Sequence, residues 1–249
     1  MPTETGSLPF VVAYRKYRSI WRALRGRKMP DFSALRRAMI DGQIRTNDVT
    51  DQRILAAMLD LPRERFVPDG KANLAYLDLD IPVNSPGRPV RRLLKPMVIA
   101  KLIQAADVGE GDLVLDIGCA TGYSSALIGR LAGSVIALEE DQALAETAKK
   151  TLAMLGAANV TVVTGPLNAG WPARGPYDVI FLEGSSEVVP HGLLGQLKEG
   201  GRLAGVIGGA SAGRAILFRS LKGELTGRPI FDAAAPLLPG FAKAPEFVF

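Results

Sequence analysis

Apolar strands alternate with helices from Asp112 to the C-terminal part of the chain. The segments "LVLDIG", "SVIALEE", "VTVVTG", "YDVIFLEG" and "GRLAGVIG" have the length and composition of buried strands. The helical patterns "YSSALIGRLA", "QALAETAKKTLAMLG" and, more weakly, "VPHGLLGQLK" separate them, and "AILFRS" is a candidate sixth strand. Buried strands that alternate with helices are typical of a parallel sheet covered on both faces. The pattern therefore predicts an α/β fold with a doubly wound sheet.

The sequence divides into three parts. Residues 1–28 form a basic leader, residues 29–110 form N-terminal helices and a loop, and residues 111–249 form the α/β domain with its C-terminal strands. Seven basic residues and one acidic residue lie in the leader, whereas the whole chain has a net charge of only +5. The body is thus nearly neutral, and its charge gives no reason to expect a nucleic-acid partner.

Two interpretations of the leader remain open. Aromatic and aliphatic residues recur at helical spacing among its basic residues, which is typical of an amphipathic helix on an anionic membrane or a polyanion. Membrane contact is then expected only through residues 11–28. The alternative is that native translation starts at Met29, which makes the leader a non-native extension or a disordered segment.

The region before the α/β domain contains signals for helix starts and stops. Thr50 is placed to cap a helix that Pro62 ends, and Pro96 is placed to begin another helix. The segment 80–96 between them holds four prolines and a glycine, and we predict a structured loop there. An earlier helix is predicted with one apolar face, formed by Phe32, Leu35, Met39 and Ile40.

The lone cysteine and the lone histidine restrict the chemistry of the chain. Cys119 is the single cysteine, so an internal disulfide is excluded, which suits a cytoplasmic protein. His191 is the single histidine, and one histidine with one cysteine cannot form the usual zinc sites. We therefore predict no metal.

A glycine-containing turn follows the first strand of the α/β domain. Gly118 and Gly122 permit a tight turn and a close approach of a ligand, and the next helix offers free backbone N–H groups. The segment is a poor match to the G-x-G-x-x-G of nicotinamide sites, because Ala120 and Tyr123 occupy two of its glycine positions. A short turn after an acidic residue, Asp116, instead suits an adenosyl amino acid whose ammonium group faces the carboxylate.

Glu139 ends the second strand of this domain. A carboxylate at that point accepts hydrogen bonds from both ribose hydroxyls in Rossmann-type folds. The glycine turn and Glu139 lie in register with a strand–turn–helix–strand unit. Together they predict an adenosyl ligand.

The chain resembles the protein-L-isoaspartate O-methyltransferases. Its "LPRERFVP" is similar to the family's V-P-R-x-x-F-V-P element, and "AYLD" and "IPV" resemble the A-Y-x-D and P-I-G segments that follow it. "LDIGCATGY" is similar to the family's L-[DE]-I-G-x-G-x-G-Y, with Ala120 in place of the middle glycine. "PYDVI" and "KEGGRL" resemble later family elements, so the likeness covers about residues 31–220.

The resemblance implies a Rossmann-like methyltransferase sheet with an N-terminal helical extension. It also implies that S-adenosyl-L-methionine is the cofactor and that the acceptor is a carboxylate of a protein or peptide, the isoaspartyl group of damaged proteins. The residues expected to contact the cofactor are Asp116, Gly118, Cys119, Ala120, Gly122, Tyr123, Glu139, Pro166, Leu167 and Glu183.

Three positions depart from the family pattern. Leu94 aligns with the serine of T-I-S-x-P, which attends the acceptor carboxylate near the sulfonium. Pro166 aligns with the acidic residue that holds the adenine amino group, and Glu183 lies in a segment that is usually small or contains histidine. We expect apolar contacts and the backbone near Leu167 to hold the adenine, with Glu183 as a polar neighbour.

Carboxylate methylation requires no general base, because the acceptor is already ionised at pH 7. The protein mainly supplies proximity and orientation. Since the Leu94 side chain cannot donate a hydrogen bond, either backbone N–H groups or the cations Arg91, Arg92 and Lys95 are candidates to hold the acceptor carboxylate. These cations could equally lie on a solvated loop. A different acceptor, or a cofactor-binding protein without isoaspartyl activity, remains an alternative function.

Overall fold

A seven-stranded sheet forms the centre of the protein in the computed structural model, which describes residues 30–84 and 90–244. The leader, Met29 and the loop residues 85–89 lie outside the described residues, so the interpretations of the leader stay predictions. The described residues from Phe32 onward belong to one compact unit.

Five parallel strands and two antiparallel ones make up this sheet. The strands are β3 (Leu113–Ile117), β4 (Ser134–Glu139), β5 (Val160–Thr164), β6 (Tyr177–Ser186), β7 (Leu197–Gly209), β8 (Ala212–Leu221) and β9 (Glu224–Asp232). Their order is β5-β4-β3-β6-β7-β8-β9, and the pairs β7–β8 and β8–β9 are antiparallel. The predicted α/β fold is confirmed, and the candidate sixth strand is β8.

Strand β9 was not predicted from the sequence. It is an edge strand whose residues are mostly exposed, and it contains Gly227 and Pro229. Proline is tolerated at a sheet edge because its missing N–H costs no ladder hydrogen bond on the open side. The sequence did not predict this strand because the segment lacks an apolar pattern and contains a proline.

The helices are α1 (Phe32–Met39), α2 (Gln52–Asp60), α3 (Pro96–Ala106), α4 (Tyr123–Gly129), α5 (Gln142–Met154) and α6 (His191–Leu194).

Helix α2 is capped by Asp51, whose side chain accepts from the backbone N–H of Arg53. The prediction that Thr50 caps it was wrong by one residue. Leu35 is exposed on α1, although Met39 is buried as predicted. Only four residues of "VPHGLLGQLK" are α-helical, because β7 already begins at Leu197.

Two apolar clusters cover the two faces of the sheet. One contains Val114, Val179 and Phe181 together with residues of α1 to α5. The other contains Leu115, Ile180 and Leu182, and it is covered by α6, by short 3₁₀ turns and by the segment 235–241. Successive residues of one strand point to opposite faces, so each strand contributes to both clusters.

The segment 80–96 contains a short antiparallel pair. Strands β1 (Ile81–Pro82) and β2 (Arg92–Leu93) pair in the register Ile81 opposite Leu93. The side chains of Ile81, Leu93 and Leu94 are buried in the cluster that the N-terminal helices cover. The apolar residues therefore fix the two ends of the segment against the body of the protein.

Candidate functional site

The glycine turn between β3 and α4 is built from backbone with positive φ angles. Gly118 has φ 81° and Gly122 has φ 93°, and Ala120 between them has φ 50°. Both backbone N–H groups at 118 and 119 donate to the carbonyl of Leu138, at 2.8 and 3.2 Å. The turn is thus fastened to β4, and an alanine occupies a left-handed position at which glycine carries no steric penalty.

Glu139 is fully buried at the end of β4, and its carboxylate receives four hydrogen bonds. Oε1 accepts from the N–H groups of Glu140 and Asp141, at 3.0 and 3.1 Å. Oε2 accepts from the N–H of Ala120 at 2.8 Å and from Nη2 of Arg91 at 3.0 Å. The carboxylate therefore lies beside the glycine turn, as the sequence predicts, but its oxygens are already engaged.

Arg91 reaches from the segment before α3 onto the glycine turn. Its side chain is buried, and Nη2 donates both to Glu139 and to the carbonyl of Gly118, at 3.0 Å in each case. A Cβ atom at Gly118 would lie 2.8 Å from this Nη2. The interpretation of Arg91 as a residue on a solvated loop is wrong. Its guanidinium is bonded to the carboxylate that was expected to bind ribose.

Arg92 and Lys95, the other two candidate cations, lie outside this cluster. Nη1 of Arg92 donates to the carbonyl of Asp80 at 3.3 Å. Arg92 and Lys95 are both half-buried. The backbone N–H of Lys95 donates to the Asp80 carboxylate at 2.9 Å. Leu94 is buried, and its carbonyl accepts from Nη2 of Arg63 at 2.5 Å. The structure thus brings one of the three candidate cations, Arg91, to the glycine turn.

Asp116 lies at the foot of the turn, fully buried. Its Oδ2 accepts from the hydroxyls of Ser124 and Ser125, at 2.8 and 2.5 Å. Its Oδ1 is buried and has no hydrogen-bond partner within the described residues. Burial raises the pKa of Asp116 from 3.8 to about 6, against the lowering effect of the two serine hydroxyls. The free oxygen is a hydrogen-bond acceptor that a ligand can use.

The segment before the sheet supplies side chains for which the sequence predicted no role. Arg63 is fully buried, and its guanidinium lies 4.5 Å from the centroid of the Tyr123 ring. The ring of Phe66 packs edge-on against Tyr123 at 5.3 Å. The hydroxyl of Thr121 donates to the carbonyl of Phe66 at 2.6 Å. The likeness of "LPRERFVP" to a family element was the sequence signal for this segment, whereas the burial of Arg63 is visible only in the structure.

Glu183 is buried one residue beyond the point where β6 pairs with β3. Leu182 is opposite Ile117 and Phe181 is opposite Asp116, so Glu183 shares the sheet face of Asp116. No hydrogen bond of its carboxyl group is present within residues 30–84 and 90–244. Burial, followed by the charge of Asp116, raises the pKa of Glu183 well above its ordinary value, while Arg63 and Arg91 oppose this.

Leu167 lies on the other side of the sheet from Glu183. Leu167 is buried in the cluster with Leu115 and Leu182, and its Cδ1 would lie 3.6 Å from a Cβ at Gly118. Pro166 is exposed and precedes a 3₁₀ turn over Leu167–Ala169. The apolar surface expected beside the turn is therefore present, but Glu183 belongs to the opposite face.

The segment 235–241 closes the site from the side of β6. A Cβ at Gly184 would lie 2.6 Å from the carbonyl oxygen of Pro236, and a Cβ at Gly118 would lie 2.9 Å from Cδ2 of Leu238. The backbone N–H of Ser185 donates to the carbonyl of Pro236 at 2.7 Å, and the carbonyl of Ser185 accepts from the backbone N–H of Leu238 at 3.0 Å. This contact joins the segment 235–241 to the glycine turn, and no local sequence pattern predicts it.

Cys119 is buried within the turn, and burial raises the pKa of its thiol well above the ordinary value. Such a thiol is a poor nucleophile.

In the part of the chain that the structure describes, no group of histidine, cysteine and acidic side chains is arranged to hold a metal ion. Nor does any described helix combine the length and apolarity that crossing a bilayer requires.

Comparisons with known proteins place this architecture in a family. The profile described as protein-L-isoaspartate(D-aspartate) O-methyltransferase matches residues 34–225. The chain belongs to this family. A protein-L-isoaspartate O-methyltransferase 1 of Rhodopseudomonas palustris is 38% identical over 177 residues, which are 71% of each chain. A protein-L-isoaspartate O-methyltransferase of Koribacter versatilis is 33% identical over 86% of this chain and 95% of its own length.

Solved structures of the same family share the fold. A protein-L-isoaspartate O-methyltransferase superposes with a TM-score of 0.72 at 28% identity, over 84% of this chain and 66% of that chain. A putative family member from Plasmodium falciparum, solved in complex with S-adenosyl-L-homocysteine, superposes with a TM-score of 0.67 at 17% identity. The family's methyltransferase fold, predicted from the sequence, is confirmed.

Proposed function

We propose that this chain transfers the methyl group of S-adenosyl-L-methionine to a carboxylate of a protein or peptide. The free carboxylate of an isoaspartyl residue is the proposed acceptor, since the names of the relatives specify isoaspartate. We also propose a cytoplasmic location, since a single buried cysteine leaves no internal disulfide. The cofactor-contacting residues predicted above, Glu183 among them, form part of this proposal.

The observation that carries the proposal is the free oxygen of Asp116 beside a glycine turn. An unpaired buried carboxylate oxygen is costly unless a ligand satisfies it. The ammonium group of an adenosyl amino acid supplies the missing donor and a favourable charge. Glu139, on the far side of the turn, fits the ribose hydroxyls once Arg91 has withdrawn from Oε2.

The chemistry needs positioning more than proton transfer. When bound, the cofactor supplies a methyl group on a positively charged sulfur. One oxygen of the acceptor carboxylate provides the electron pair of the new C–O bond, and sulfur keeps the pair of the broken C–S bond. No proton moves, so the chain contributes orientation and the exclusion of water, which are worth about 7–11 kcal/mol at most.

Methyl transfer to an isoaspartyl peptide tests the proposal. With radiolabelled cofactor, we expect labelling of the isoaspartyl peptide and none of the same peptide with normal aspartate. Independently, calorimetry should show binding of S-adenosyl-L-homocysteine, weakened by about 1–3 kcal/mol in Glu139→Gln. Glu140→Gln, at the exposed neighbouring position, is the matched control. Binding without peptide methylation would retain the cofactor assignment and reject the acceptor.

A further inference from the structure

Among the described groups that donate to the Glu139 carboxylate, Arg91 alone is a side chain. The other donors are the backbone N–H groups of Ala120, Glu140 and Asp141, which lie in the glycine turn and directly after β4. These groups cannot leave the carboxylate unless the backbone moves. Nη2 of Arg91, 3.0 Å from Oε2, is therefore the donor that a ribose hydroxyl can replace.

Arg91 is held at its backbone and at one atom of its side chain. Its N–H donates to Oδ1 of Asn84, and its carbonyl accepts from the N–H of Val83, both at 3.0 Å. Within the described residues, the hydrogen bonds of the side chain come from Nη2, and the buried Nε has no partner. The guanidinium can thus change partners by side-chain rotation while its backbone stays in place.

A guanidinium released from Glu139 needs another anion. Within residues 30–84 and 90–244, Glu139 is the one carboxylate that forms an ion pair with Arg91. The Arg91 side chain is 8% exposed, and removing the partner of a charge at that depth is strongly destabilising. Leu94, on the same segment, has no side-chain donor for an acceptor carboxylate, whereas a guanidinium binds a carboxylate by charge-assisted hydrogen bonds.

We propose that Arg91 exchanges Glu139 for the acceptor carboxylate when the cofactor binds. The inference rests on the proposed function and adds the order in which its two ligands bind. A ribose hydroxyl takes the place of Nη2 at Oε2 of Glu139, and the guanidinium then pairs with the carboxylate that receives the methyl group. The paired carboxylate keeps lone pairs for the new C–O bond. Arg91 is thus a binding residue that makes the affinity for the peptide depend on the bound cofactor.

The carboxylate of the cofactor itself is the competing anion. It is attached to the same carbon as the ammonium group, for which Asp116 is the proposed partner. Within the described residues, the Arg91 side chain donates to Glu139, the proposed ribose partner, and to the carbonyl of Gly118, but not to Asp116. This position favours the acceptor carboxylate as the second partner of Arg91.

The exchange makes the two ligands depend on each other. With S-adenosyl-L-homocysteine bound, an isoaspartyl peptide should bind about ten- to a hundredfold more tightly, the range for a hydrogen bond to a charged group. By linkage, the peptide should raise the affinity for S-adenosyl-L-homocysteine by the same factor. The same peptide with its isoaspartyl carboxylate converted to an amide should show neither effect, because it offers the guanidinium no anion.

The measurement is the ratio of the dissociation constants of S-adenosyl-L-homocysteine without and with the isoaspartyl peptide, by calorimetry on the full chain. Arg91→Met removes the guanidinium, and Arg91→Lys keeps a charge that cannot form the two parallel bonds of a guanidinium. The half-buried neighbour supplies the control, Arg92→Met. Both constants of a ratio are measured on one protein, so a loss of stability in a variant cancels.

We expect the full ratio in the wild type and in Arg92→Met, no effect of the peptide in Arg91→Met, and an intermediate ratio in Arg91→Lys. The full ratio in both Arg91 variants would overturn the proposal, and so would the absence of any peptide effect in a wild-type protein that methylates the peptide. Weaker binding of S-adenosyl-L-homocysteine alone to Arg91→Met would assign Arg91 to the cofactor's carboxylate and overturn it as well. A wild-type protein that binds S-adenosyl-L-homocysteine but methylates no isoaspartyl peptide would instead reject the proposed function on which the inference rests.

Discussion

Arg91 donates from Nη2 to Oε2 of Glu139 over 3.0 Å, with both side chains buried. The contact joins the segment that precedes α3 to the end of β4. It also engages one oxygen of the carboxylate that the strand–turn–helix pattern predicts to bind the ribose hydroxyls. Ligand binding in the proposed orientation therefore requires Arg91 to give up one of its two acceptors.

Arg91→Met should destabilise the free protein and strengthen cofactor binding. Removal of the guanidinium deletes a charge-assisted hydrogen bond and should lower the free energy of unfolding by about 1.5–3 kcal/mol. It also frees Oε2 of Glu139, so the dissociation constant of S-adenosyl-L-homocysteine should decrease. Urea unfolding and calorimetry measure the two effects, with the half-buried neighbour Arg92→Met as control. Weaker ligand binding in Arg91→Met would mean that Arg91 contacts the ligand directly.

Ala120→Gly should be tolerated or mildly stabilising. A left-handed conformation costs a non-glycine residue roughly 1–2 kcal/mol, and the greater freedom of glycine in the unfolded chain offsets about 0.4–1 kcal/mol of this. The same substitution at Ala126 in α4 should destabilise by about 1 kcal/mol, because glycine disfavours helix interiors. Thermal unfolding of the two variants compares them directly. If Ala120→Gly were as destabilising as Ala126→Gly, the positive φ would not be a source of strain.

Thr121→Val should destabilise the protein, and Thr121→Ser should not do so to the same extent. The threonine hydroxyl donates to the carbonyl of Phe66 over 2.6 Å in a buried position. Valine leaves that carbonyl without this donor, at a cost of about 1–3 kcal/mol, whereas serine retains it. Chemical unfolding gives the difference. Equal losses in both variants would assign the effect to the methyl group and its packing.

The contribution of Asp116 to the stability of the protein should fall as the pH rises from about 4 to about 6. The pKa of Asp116 is raised from 3.8 to about 6 in the folded state, so the folded protein binds more protons than the unfolded chain in this interval. Each unit of difference between the folded and unfolded pKa values corresponds to about 1.4 kcal/mol of unfolding free energy. The loss of this stabilisation is complete once the pH exceeds the pKa in the folded state.

Asp116→Asn should remove this part of the pH dependence, as measured by urea unfolding at several pH values. Asp178→Asn is the control, because the Lys198 ion pair and a backbone hydrogen bond lower the pKa of Asp178 and confine its own contribution to more acidic conditions. An unchanged slope in Asp116→Asn would assign the pH dependence to another group with a raised pKa, such as Glu183.

Features that are set by residues close to each other in the sequence could be predicted from it. Strands β3 to β8, the turn at Gly118 and the position of Glu139 follow from local patterns and from the geometry of a parallel sheet. The pairing of Arg91 with Glu139 was not predictable, because an arginine on a loop has many acceptors within reach and only packing selects one. The helix cap at Asp51 was missed because both Thr50 and Asp51 have suitable side chains.

The contact of Leu238 with Gly118 has a consequence for folding during synthesis. The glycine turn and the first half of the sheet leave the ribosome well before the segment 235–241 does, and domains generally fold as units. In the nascent chain, the glycine turn therefore stays incompletely packed until the segment 235–241 is available to cover it. Truncation before Pro236 should consequently produce a chain whose sheet forms but whose ligand site stays open to water.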